Sequence, residues 1–154
     1  MEALVGFVLL SATVAWTLGV HPALARRRAV ALRLSHVRRS RASADALDSD
    51  GGAALLDGLA SAISVATVDF MQYPESYYFE DVDENTALPR HLGYAAALAE
   101  QAATARHPNV RLAGSVLGTA LAESLDGRFL HTNGPTRQVF AAYAVDHDPN
   151  SHGK

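Results

Sequence analysis

The chain has 154 residues, 49% of them hydrophobic and 19% charged, with no cysteine and a formal net charge of −3. Without cysteine there is neither a disulfide-stapled external domain nor thiolate chemistry. The small net charge hides a division: residues 1–44 carry seven arginines against one acid, and residues 45–154 carry five arginines and one lysine against fifteen acids, an acidic remainder poorly suited to nucleic acid.

Residues Ala3–Val20 (ALVGFVLLSATVAWTLGV) contain no charge, amide or proline. As a helix they extend roughly 27 Å, against a hydrocarbon core of roughly 30 Å, so the stretch reads as a retained membrane anchor. Two alternatives compete. Ala23-Leu24-Ala25 resembles a cleavage site for a secretory leader, but Glu2 occupies the place of the expected basic residues. A helix buried in a soluble assembly seldom runs so long without a polar break. Ser11, Ala15 and Gly19 form a row of small residues suited to packing against another membrane helix.

After the span come Arg26, Arg27, Arg28, Arg33, Arg38, Arg39 and Arg41. This bias predicts the N-terminus outside and the main domain in the cytoplasm, at an inner or plasma membrane. Near an anionic bilayer each arginine contributes about 1 kcal/mol, which makes these seven the candidate membrane-surface residues. From Pro22 to Ala46 the composition favours helix, with Leu24, Val30, Leu34 and Val37 as an apolar stripe that can lie on the membrane or simply flank the anchor. A nucleic-acid tail is the weaker third reading of this basic run.

DALDSDGG at 45–52 reverses the charge and marks a boundary. A core helix is expected over residues 53–70, carried by Leu55, Leu56, Leu59, Ile63, Ala66 and Phe70, although β-branched residues in its second half leave a strand open. Asp57 weighs against its being a second span. Pro74 should end that helix, and the segment after it combines Tyr73, Tyr77, Tyr78 and Phe79 with Glu75, Glu80, Asp81, Asp83 and Glu84. Tyrosines among acids suit a docking loop for a basic or aromatic partner, or a lid over a small core. The candidate partner-binding residues are Tyr73, Tyr77, Tyr78, Phe79, Glu80, Asp81, Asp83 and Glu84.

Further helices are expected over residues 88–106, begun by Pro89, and over 110–125, capped by Asn109, with Gly114 and Gly118 marking a close helix crossing. A turn at Asn133-Gly134-Pro135 follows a short extended piece at 128–132. A last helix over 136–145 should turn Val139, Phe140 and Tyr143 inward.

No triad, phosphate loop or paired metal motif is present, so no catalytic, cofactor or metal residue is assigned. Asp146, His147, Asp148 and His152 lie in a fraying tail. Asp81, Asp83 and Asn85 imitate half a calcium loop, but Thr86 replaces its glycine and Leu92 its bidentate glutamate. Glu100 and Glu123 are most simply solvent-facing, and Arg128 and Arg137 neutralise nearby acids.

The sequence thus predicts a mainly α protein: a single N-terminal transmembrane helix over 1–25, a basic juxtamembrane helix over 26–46, an acidic domain of about four helices over 47–148, and a flexible tail over 149–154. It reads as a non-catalytic accessory subunit or adaptor without a cofactor, touching an anionic bilayer and a protein partner. A small membrane-linked enzyme or ligand-binding module built around His91, Tyr94 or His131 is one alternative. A soluble assembly subunit with a covered first helix is the other.

Overall fold

The computed structural model describes residues 2–79, 81–124, 138–141 and 143, the side chains of residues 2 and 3 excepted. All regular structure among them is helical. Helix α1 spans Glu2–Ser40, α2 Ala44–Leu47, α3 Asp50–Gln72, α4 Pro89–Ala103 and α5 Pro108–Ser124, with a 3-10 turn at Pro74–Tyr78 between α3 and α4.

The expected anchor and the basic segment form one helix. Pro22 lies inside α1, although an interior proline lacks the N–H that its preceding turn needs and costs about 3 kcal/mol. Burial beyond it offsets that cost. Val20, Ala23, Arg27, the pair Val30 and Ala31, and Leu34 recur at three or four residue steps and are all buried, so the second half of α1 is a core helix packed on α3 and α4. Val30 and Leu34 of the stripe expected at the bilayer therefore face the body instead, with Val37 packed at its edge.

The first half of α1 is the opposite case. Residues 4–18 are exposed, and Phe7, Leu9, Leu10 and Leu18 are each more than 60% exposed. Two helices, α1 and α3, are long and apolar enough to cross a membrane, but 6% of the apolar stretch in α1 is buried against 44% in α3. That difference separates an uncovered helix from a core one. Along α3, Leu56, Leu59, Ala60, Ile63, Ala66 and Phe70 point inward, as the apolar spacing predicts, and the strand alternative for its second half does not occur.

Ser43 and Ser49 cap α2 and α3, each Oγ accepting from a backbone N–H at 3.2 Å. Asp48, between the two helices, accepts from the backbone N–H groups of Arg106 and His107 at 3.0 and 2.8 Å. These hydrogen bonds hold its carboxyl below the ordinary carboxylate range and tie the α2–α3 junction to the α4–α5 junction. The expected Asn109 cap does not form: α5 begins at Pro108, whose missing N–H is harmless in a first turn. Asn109 instead reaches across to Asp50 Oδ1 at 3.2 Å.

Helices α4 and α5 cross where Gly114 was expected to permit it. A Cβ on Gly114 would overlap the Ala102 methyl, whereas one on Gly118 would sit in ordinary contact, 3.9 Å from that of Ala99. Gly114→Ala should destabilise by about 1–3 kcal/mol through overpacking. Gly118→Ala should stabilise by up to about 1 kcal/mol by removing a helical glycine. Urea unfolding of the two variants in micelles distinguishes them.

Of the last expected helix, residues 138–141 and 143 are helical, with Phe140 and Tyr143 in the core and Val139 packed against it. Residues 128–132 and the turn at 133–135 lie outside the described residues.

Candidate functional site

Successive residues on a helix point about 100° apart, so Arg26, Arg27 and Arg28 leave α1 in three directions. Arg27 goes inward and is 2% exposed. Its guanidinium donates to the backbone carbonyls of Ser76 and, at 2.6 Å, Phe79, and lies 3.4 Å from Asp81 Oδ2. Arg28 Nε donates to the other oxygen of Asp81 at 2.6 Å. On the opposite flank Arg26 grips Asp69 with two hydrogen bonds of 2.8 and 2.6 Å, the fork geometry that favours arginine over lysine.

The aromatic–acidic segment is the object of this grip. Pro74 starts the 3-10 turn, Trp16 Nε1 donates to Glu75 Oε1 at 2.7 Å, and the Tyr73 ring lies directly on Gly19, where any Cβ would displace it. Tyr77 is 1% exposed and packs edge-on to Phe70 and beside Tyr143, with ring centroids 6.4 and 5.0 Å away. Tyr77 and the Asp81 carboxylate, 5% exposed, are therefore internal structure rather than outward-facing. Tyr78, Phe79 and Val82 keep exposed surface. Asp83 folds its own loop by accepting from Asn85 N and Nδ2 at 2.9 and 3.0 Å, which lowers its pKa, and exposed Glu84 pairs with Arg90 at 2.6 Å. Glu80 lies outside the described residues.

Of the proposed helix-packing row, Ser11 and Ala15 are exposed, Ser11 bonding back to Phe7 O at 2.8 Å, while Gly19 serves Tyr73 of the same chain. Arg33 lies over Gly58 and donates to its carbonyl at 3.2 Å. Arg38, Arg39 and Arg41, like Arg33, have no ion pair among the described residues; Arg39 donates to Ser35 Oγ at 3.3 Å, and the three line a hollow of about 400 Å³ with Ser35, Asn85 and His91. A second, smaller cavity of about 140 Å³ lies at the two junctions held by Asp48, bounded by Leu56, Leu98 and Val110.

His91 is 7% exposed. Its Nε2 lies 3.1 Å from Glu84 O and its Nδ1 has no hydrogen-bond partner. Burial, then Arg38 and Arg90, push its pKa down against the opposing backbone carbonyls of Glu84 and Asn85. The unfolded chain thus binds a proton more readily than the folded one. Stability contributed by neutral His91 is complete above the unfolded value of about 6.5 and is lost as pH falls through the folded pKa. A pH series of urea unfolding in micelles should show this loss on acidification, reduced in His91→Gln.

Tyr94 is half-buried. Glu100 and Glu123 are exposed, as expected of solvent-facing acids. His131, Arg128, Arg137 and the tail residues Asp146, His147, Asp148 and His152 lie outside the described residues. No group of three or more metal-ligating side chains occurs among the described residues. The arginine grip escaped sequence reasoning, yet its signal was present: the basic first part and acidic remainder are complementary, and they meet within the chain.

No protein-family model, curated protein or solved structure matches this chain.

Proposed function

We propose that this chain is a non-catalytic, single-pass membrane subunit in which one helix is both anchor and core strut, presenting a helical body to a protein partner on the cytoplasmic side. The observation that carries it is the uncovered apolar surface of residues 4–18, continuous with a helix whose later turns are buried in the body. Such a patch marks a membrane or partner contact. The arginine count after the span supports the orientation, and pairing with acids does not weaken this, because the rule counts basic residues rather than net charge.

A span of about twenty residues counted from Ala3 ends near Pro22. There Tyr73 covers Gly19 and Trp16 meets Glu75, so indole and phenol rings fall at the boundary, where they are favoured. Val68, Met71 and Phe79 are exposed and belong to the segments that meet α1 at Gly19, Arg26 and Arg27, and we place this rim of the body in the headgroup layer. Tyr78, Val82, Asp83 and Glu84 form the partner surface, which suits aromatic or basic groups.

The test is a photo-crosslinking residue at Val82 in intact membranes, read by mass spectrometry. One recurrent protein adduct, retained after alkaline carbonate washing, is expected. Absence of any adduct contradicts the docking role. Release of the chain by carbonate together with a protein crosslinked through Leu10 supports instead a subunit whose first helix is covered by an assembly.

A further inference from the structure

We propose that the hollow lined by Ser35, Arg38, Arg39, Arg41, Asn85 and His91 binds a soluble phosphate, as the free ion or a small monoester. Three cations share its wall, and none of them forms an ion pair among the described residues; Arg39 donates to Ser35 Oγ at 3.3 Å and lies near enough to Asp83 to help lower its pKa. Elsewhere among the described residues the arginines have partners: Arg26 and Arg28 acids, Arg27 carbonyls and Asp81, Arg33 the Gly58 carbonyl, Arg90 Glu84, Arg106 Asp45 and Asp48, and Arg111 the carbonyls of Ala105 and Arg106. The helix dipole at the C-terminus of α1 accounts for Arg38 and Arg39. Arg41, the first residue past the helix, takes the left-handed φ of 48° with which helices commonly end, and lines the same hollow.

His91 supplies an independent observation that points to the ligand. A backbone carbonyl can only accept, so Nε2 must carry the proton that it shares with Glu84 O. In the neutral ring Nδ1 is then an acceptor without a donor, closed off from solvent, so a ligand in the hollow reaches it only when the wall yields. A ligand for this place needs negative oxygens for the guanidinium forks and a hydroxyl for Nδ1. Inorganic phosphate at neutral pH has both, and a small phosphate monoester can supply its hydroxyl from the organic part. Sulfate has the oxygens alone. The volume suits a small organic phosphate better than a single ion.

The ligand comes from solution. On a continuous helix Arg38 lies about 24 Å beyond Pro22, several times the screening length of about 8 Å, so headgroups of the bilayer holding α1 do not reach it.

The experiment is calorimetric titration of full-length protein in micelles with inorganic phosphate, sulfate and glycerol phosphate, with the His91 imidazole followed by NMR. Saturable phosphate binding that perturbs His91 is expected, with sulfate weaker by about ten-fold for want of one hydrogen bond. Arg38→Gln, at an exposed position, should weaken phosphate by about ten- to a hundred-fold, the loss of a charge-assisted contact, and Arg111→Gln should change nothing. His91→Gln should lower the preference for phosphate over sulfate. Absence of saturable binding overturns the proposal, as does an affinity unchanged in Arg38→Gln or equal affinity for sulfate. Displacement of phosphate by vesicles containing phosphatidylinositol phosphate, but not by glycerol phosphate, overturns the soluble source.

Discussion

Arg27→Met should destabilise the full-length protein by about 3–5 kcal/mol, read from urea unfolding in micelles. Methionine fills much of the same space, so little of that loss comes from a cavity. It comes from what is stranded: the Ser76 and Phe79 carbonyls lose their donor, and the buried Asp81 carboxylate keeps Arg28 alone among the described residues. Arg28 is half exposed, and its replacement by methionine should cost no more than about 1 kcal/mol. The order Arg27 far above Arg28 is the sharp part of the expectation. Removing Asp81 together with Arg27 should cost less than the two single changes combined, since each alone leaves a buried partner behind. Loosening of the segment at 73–83 should accompany Arg27→Met and appear as faster amide exchange there than in α5.

Gly52→Ala should cost about 3 kcal/mol, the upper end of overpacking losses. A Cβ on Gly52 would overlap the carbonyl oxygen of Leu47, and its three nearest neighbours are all backbone or Cα atoms of that residue. No rotamer change relieves such a clash; the turn from α2 into α3 has to open, and with it the Asp48 tie to Arg106 and His107. Gly51→Ala is the matched control. Its Cβ would meet only Ser49 Oγ at 3.6 Å, and losing a glycine early in a helix should stabilise by up to about 1 kcal/mol. Thermal unfolding of the two variants should move in opposite directions.

The elements legible in the sequence were those with a strong local cause. Apolar residues at three and four spacings announced α3, proline at the start of a run announced α4, and the small side chain at Gly114 announced a crossing whose partner, Ala102, the sequence did not name. What stayed hidden was long-range. Nothing local says that the two helices expected over 1–25 and 26–46 are one whose second half is a core element, because that comes from burial of Val30 and Leu34 against residues distant in sequence. Asn109 looked like a cap, but Pro108 before it already suits a first turn, and the amide is drawn to Asp50. Arg26, Arg27 and Arg28 looked like a collar for lipid because a run of charges beside an apolar span usually is one. Their partners, Asp69 and Asp81, stand more than forty residues away. Tyr77 and Tyr78 are neighbours of one residue type, and the turn of the backbone, which the composition does not encode, puts one in the core and the other outside.

Because the chain has no native cysteine, a spin label can be placed at any single position of the full-length protein in lipid vesicles. Labels at Phe7, Leu10 and Val14 should collide readily with dissolved oxygen and hardly at all with a water-soluble nickel chelate, while a label at exposed Thr104 should show the reverse. Equal access of the nickel chelate to all four positions would contradict the account, because residues 4–18 of α1 would then lie in water.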